Sequence, residues 1–162
     1  MPDMGAPAGF TVELRTDLTP DEALRRVLDL RQHDRIIPFT RVNPPLGADA
    51  LAPGTRFTAR TSLGPLGFDD PMQITTLSFA PAGATIEKLG RIIGGSIAVD
   101  VVASADGSLV RWRQTVQMPW LPKALLPVAT RVLRGGYRRV LVRLLSSDPG
   151  LTTPAGAPPP AR

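Results

Sequence analysis

The chain offers few side chains that could do chemistry, and their scarcity narrows the chemistry. His33 is the only histidine and there is no cysteine. Thiol nucleophiles, disulfides and cysteine-bound zinc are therefore excluded, a histidine-built metal site cannot be assembled, and a hydrolytic triad would have to rest on His33 alone. His33 stands in a charged stretch, Arg31-Gln32-His33-Asp34-Arg35, where an exposed helix end is expected, so a surface or structural role outweighs general acid/base work. Asp69-Asp70 precedes Pro71 and reads as turn chemistry at a strand entry. No further acidic or histidine ligands are spaced to complete a site, so no metal is expected. Gly94-Gly95 and Gly135-Gly136 carry no phosphate-binding fingerprint, and no cofactor of any kind is expected. What remains is Trp112, Gln114 and Tyr137, polar-tipped residues on faces that otherwise look apolar. In a cavity, Gln114 and the Tyr137 hydroxyl could orient a ligand oxygen against the flat wall of Trp112; in a filled core they would satisfy one another or the backbone.

The elements that must position these residues follow from changes of period. Phe10, Val12 and Leu14 alternate with Thr11, Glu13 and Arg15, the mark of a half-buried strand. Thr19-Pro20-Asp21-Glu22 has the form of a capping box, and Leu24, Val27 and Leu28 supply the apolar stripe of the helix it opens. Asp29 to Arg35 continues that helix or forms a second, ending before Pro38. Arg41 to Pro53 reads as a loop, followed by a strand through Phe57, Ala59 and Thr61 and a breaker cluster from Ser62 to Gly67. Three strands follow at Met72–Phe79, Thr85–Arg91 and Ser96–Ser104, with Pro81-Ala82-Gly83 and Gly94-Gly95 as the turns between them. Ala105-Asp106-Gly107 then turns into the clearest strand, with Val110, Trp112, Gln114, Val116 and Met118 on one face and Arg111, Arg113, Thr115 and Gln117 on the other.

From about Lys123 to Ser146 a long helix collects Leu125, Ala129, Val132, Leu133, Gly136, Tyr137, Val140 and Leu144 on one arc, opposite Arg131, Arg134 and Arg138. Arg143 falls near the apolar arc and must splay away or snorkel. Two glycines inside a helix cost about 1 kcal/mol each relative to alanine, so the pair at 135–136 answers either a close approach to the sheet or a need for ligand space. The expected division is a flexible segment 1–8, one domain 9–147 and a disordered Pro-rich tail 148–162.

Charge and length bound the remaining classes. The net charge of +5 comes almost wholly from arginine, since Lys88 and Lys123 are the only lysines, and with abundant Ala, Gly and Pro it reads as codon bias and a solvated surface; no nucleic-acid partner is expected. Met1 to Gly9 lacks the features of a signal peptide, and no apolar run approaches the roughly 18 residues of a membrane span, so a cytoplasmic protein is expected.

The order of strand, helix pair, five antiparallel strands and long C-terminal helix resembles the START-like helix-grip superfamily, also called SRPBCC. The residues that carry the resemblance are Phe10-Thr11-Val12-Glu13-Leu14, the capped Thr19-Pro20-Asp21-Glu22 helix, His33-Asp34-Arg35-Ile36-Ile37-Pro38, and Trp112-Arg113-Gln114 leading through Met118-Pro119-Trp120 into the last helix. Within that superfamily it looks most like the bacterial polyketide cyclase/dehydrase and lipid-transport group. The resemblance implies an α+β fold in which a curved antiparallel sheet wraps the long helix, with a cavity between them for a hydrophobic small molecule. Phe57, Met72, Ile74, Val99, Trp112, Gln114, Leu133, Gly136 and Tyr137 are then the expected lining, and the loops Arg41–Pro53 and Ser62–Asp70 the mouth, with Phe68 as a gate. Binding of a lipid, polyketide or isoprenoid-like molecule is favoured over catalysis. A cyclase or dehydratase would fold its substrate in the same cavity and stabilise an enolate through Tyr137, Gln114 or His33. The third class is an interaction protein working through Arg131, Arg134 and Arg138.

Overall fold

The computed structural model describes residues 8–146; the expected N-terminal segment, Ala8 apart, and the Pro-rich tail lie outside the described residues. Strand β1 (Gly9–Thr16) leads into α1 (Pro20–Leu28) and α2 (Leu30–Ile36). The capping box forms as its sequence dictates: the Glu22 amide donates to Thr19 Oγ1 and the Thr19 amide to Glu22 Oε2. Strands β2 (Thr40–Asn43), β3 (Arg56–Leu63), β4 (Leu66–Phe79), β5 (Ala82–Leu89), β6 (Gly94–Ser104) and β7 (Gly107–Thr115) follow, and α3 (Leu126–Ser146) is the last described element, after a 3-10 turn at Lys123–Leu125. All strands join one antiparallel sheet in the order β1-β7-β6-β5-β4-β3-β2. A register shift between Ile74 and Thr76 bulges the long strand β4, a device that bends and twists a sheet. The result is the expected helix-grip arrangement, with α1 against β4 to β7 and α3 against β1, α1 and α2.

The alternation of β7 is realised: Val110, Trp112 and Gln114 are buried while Arg111 and Arg113 are exposed, and it carries on to a buried Val116 just past the strand and a half-buried Met118. Three other local expectations are corrected. The loop expected at 41–53 contains most of strand β2, whose four residues are too few to show a period in the sequence, and a 3-10 turn at Ala48–Ala50. The breaker cluster 62–67 shrinks to a tight turn carrying Gly64 at φ +60, so Phe68, Asp69 and Asp70 belong to β4, not to a mobile loop. Gly94 and Gly95 open β6 instead of turning the chain. Gly95 sits at φ +123 where a Cβ would lie 2.2 Å from the Thr115 carbonyl oxygen, so close strand approach is what demands glycine there.

The long helix differs most from expectation. Leu141, Leu144 and Leu145 are buried, but Leu125 is 51% and Val132 69% exposed, and Val140 is only half-buried. The shared apolar arc predicts burial of Val132 and Val140 only if the helix touches the sheet along its whole length. Instead α3 is packed at its C-terminal end, where Arg26 Nη1 donates to the Leu145 carbonyl (3.0 Å), and tied to β1 by Arg134 Nε donating to the Thr11 carbonyl (3.0 Å). Toward its N-terminal half the apolar arc lifts away, and Val132, Leu133, Gly136 and Val140 border open space.

Candidate functional site

That space is an open cavity of about 590 Å³ bordered by the end of α1, by α2 and α3, and by the concave face of the sheet. Strand β7 supplies Trp112 and Gln114, β3 Phe57, and β4 Phe68 and Met72; α3 supplies Leu133, Gly136 and Tyr137. Ile74 and Val99 do not line it: both are fully buried in the core that the sheet shares with α1. The period placed them on the inward face correctly, but that face serves two compartments, one filled by α1 and one left open beneath α3. Phe68 contributes to the wall from within β4, paired with Thr61 across the strand, so it is part of a regular ladder and not a loop-borne gate.

One wall is aromatic. The Trp112 ring stacks on Tyr137 with centroids 5.3 Å apart, and Phe10 also packs on Tyr137, tilted, at 5.7 Å. Trp112 Nε1 donates to Gln114 Oε1 at 3.2 Å. The two thus satisfy each other and line the cavity at once, which merges the two alternatives left open by the sequence. The glycine pair is also resolved. A Cβ placed on Gly135 or Gly136 would meet no atom within 4 Å, so close helix packing is not the reason for either, and Gly136 faces the cavity.

Polar residues that the sequence reading passed over also reach the cavity. Asp70 and Lys88, from β4 and β5, both line it, and both are buried. Lys88 Nζ donates to Asp70 Oδ2 and lies 3.9 Å from Met72 Sδ, whereas Asp70 Oδ1 is buried with no hydrogen-bond partner. Burial pushes the Asp70 carboxyl above the ordinary carboxylate range, against the pull of the Lys88 charge and hydrogen bond. The reading of Asp69-Asp70 as turn chemistry at a strand entry fails for both: they lie inside β4, Asp69 exposed opposite Arg60 and Asp70 buried. Alternation carried one step further would have found the pair, because Asp70 shares a face with Met72 and Ile74, and Lys88 with Ile86.

His33 is the other correction. It is not an exposed helix end but a half-buried member of the cavity wall, and its Nδ1–H donates to the Asp29 carbonyl at 2.9 Å. A carbonyl only accepts, so this bond holds the proton on Nδ1. Burial pulls its pKa below the usual histidine value of 6.5, outweighing Asp29 and Asp34. A lowered folded pKa means that the unfolded chain binds the proton first, so stability should fall as pH drops from 6.5 through the folded value. Urea midpoints measured across that range should therefore slope more steeply for the parent protein than for His33→Gln; equal slopes would show that His33 titrates freely in the fold.

Among the described residues no three or more His, Asp or Glu side chains gather as metal ligands, and no helix is long and apolar enough to cross a membrane. No family model matches the chain, and no curated protein matches it in sequence. Solved structures do match in shape. TTHA0849 from Thermus thermophilus superposes with a TM-score of 0.66 at 10% identity, covering 85% of this chain and 94% of its own. The di-domain ARO/CYC BexL from the BE-7585A biosynthetic pathway gives 0.61 at 17% identity over 84% of this chain and 44% of BexL. Norcoclaurine synthase from Thalictrum flavum, solved in complex with dopamine and hydroxybenzaldehyde, gives 0.61 at 10% identity over 86% of this chain and 87% of its own. Together with the sheet order, the helix pair after β1 and the long closing helix over a concave face, these matches give the chain the START-like, or SRPBCC, helix-grip fold.

Proposed function

We propose that this protein binds a hydrophobic or aromatic small molecule, of lipid, polyketide or isoprenoid type, in the cavity beneath α3. The observation that carries this reading is the apolar arc of α3 held off the sheet over about 590 Å³, with Val132 and Gly136 exposed although both face the cavity. An apolar surface left wet inside a concave site is stabilised by whatever apolar body fills it, at roughly 25 cal/mol per Å² removed from water. The stacked Trp112–Tyr137 wall favours a flat or ring-bearing occupant. The experiment is a fluorescence titration of Trp120→Phe protein, in which Trp112 is the only tryptophan, with naphthalene and with fatty acids, alongside native mass spectrometry of the protein purified from its own host. Saturable change in Trp112 emission and a retained compound are expected; no response to any probe would overturn the reading.

A cyclase or dehydratase using the same cavity is the second reading, favoured by the buried Asp70–Lys88 pair in its wall. Turnover of a retained compound in the native mass spectrum separates it from simple binding. The arginine-face alternative loses ground, because Arg134 is engaged in fastening α3 to the Thr11 carbonyl.

A further inference from the structure

Buried ion pairs in apolar surroundings have a large desolvation cost, and the geometry around Lys88 and Asp70 leaves that cost incompletely offset. Lys88 has three N–H donors. The structure gives it Asp70 Oδ2 and the weak acceptor Met72 Sδ. Asp70 has a second carboxylate oxygen, Oδ1, buried and without any partner. A buried polar atom without a partner is uncommon and calls for an occupant, and here both members of the pair line the cavity. The pair is neutral as a unit, so it has no net attraction for a charged head, yet it keeps spare donors on Lys88 Nζ and a spare acceptor on Asp70 Oδ1, both covered in the wall, so a ligand reaches them by a small shift of these side chains. A hydroxyl group can answer both, accepting from Lys88 Nζ while donating to Asp70; rotation of the carboxylate brings either oxygen to that task.

Resting on the binding function above, we propose that Lys88 and Asp70 form a polar anchor at the cavity wall that selects apolar ligands carrying a neutral hydroxyl head, such as a phenol or enol, over hydrocarbons and carboxylates. The Trp112–Tyr137 wall would then hold the ring system while the anchor sets its orientation. Hydrogen bonds to charged groups are the stronger kind, and the expected preference for the hydroxyl is tenfold or more.

The test compares naphthol, naphthalene and naphthoate by Trp112 fluorescence in the Trp120→Phe protein and in the same protein carrying Asp70→Leu and Lys88→Met. Naphthol should bind about tenfold more tightly than naphthalene to the parent. The double substitution should abolish the difference while naphthalene still binds. Equal affinities in the parent, a preference that survives the double substitution, or tighter binding of naphthoate than naphthol would each overturn the anchor while leaving the cavity reading intact. Failure of naphthalene and naphthol alike to bind the parent would remove both. A measurement on the unsubstituted pair guards against misfolding: the carbon resonance of the Asp70 carboxyl should move on adding naphthol and stay still with naphthalene, and an unmoved resonance at naphthol saturation would overturn the proposal.

Discussion

Lys88→Met should destabilise the fold by about 3–5 kcal/mol at neutral pH, the usual cost of stranding one member of a buried pair. The Lys88 side chain is 1% exposed and that of Asp70 11%, so neither solvent nor salt can take the place of the missing partner. The Asp70 carboxyl is already held high by burial, with only Lys88 pulling it down. Removing Lys88 raises it further. In that state the folded protein keeps a proton that the unfolded chain releases near its ordinary value of 3.8, so the stability of Lys88→Met should fall as pH rises above that value until the raised folded pKa is passed. Below it, variant and parent should converge apart from packing differences. The combined Asp70→Leu and Lys88→Met protein should sit near the parent or above it, because no buried charge remains. Urea denaturation of all three proteins at neutral and acidic pH checks the set. A single substitution costing less than about 1 kcal/mol at neutral pH would mean that the pair is effectively solvated.

The same pair marks where legibility in the sequence ended. Period-two alternation identified the inward faces of β1 and β7 correctly, since a strand with one buried face leaves no other register for Val12, Val110 or Trp112. The capping residues placed α1, and the proline at 38 ended α2, for reasons that are local and therefore readable. Lys88 and Asp70 obeyed the same alternation, but a charge on an inward face is read as an interruption of the pattern when no partner is visible, and their partnership spans two strands. His33 was misplaced for a related reason: its charged neighbours in the chain say nothing about α3, which arrives about a hundred residues later to help close the cavity over α2.

The helix shows the limit most clearly. A helical wheel reports which side chains share an arc, and it put Tyr137, Val140 and Leu144 together as they stand in the structure. It does not report the distance to the opposing surface. Leu144 touches the core and Val132 faces an opening, although both lie on the apolar arc. Ile74 and Val99 make the complementary point from the sheet: their inward facing was readable, but which compartment they face depends on where α1 stops and α3 begins to lift.

Gly136→Leu should make the protein more stable and less able to bind. Glycine within a helix is about 0.5–1 kcal/mol less favourable than a residue such as alanine or leucine, so replacing it ought to raise the unfolding free energy by that amount where nothing resists the new side chain. A Cβ at Gly136 meets no atom within 4 Å, and the atoms beyond it extend toward the open cavity. Gly136 lies on the cavity wall, so the leucine methyls would enter the space that the ligand needs, and affinity for naphthalene or for the native compound should fall at least tenfold, about 1.4 kcal/mol. Gly135→Ala is the control. Its Cβ is equally unopposed, but Gly135 is not among the lining residues, so it should gain similar stability with binding unchanged. Thermal unfolding and probe titration of the two variants separate the effects. Opposite movement of stability and affinity at position 136 alone would tie the retained glycine to the ligand. Parallel loss of both would mean that the helix meets the sheet more closely in solution than its contacts here allow, and unchanged affinity would place the ligand elsewhere.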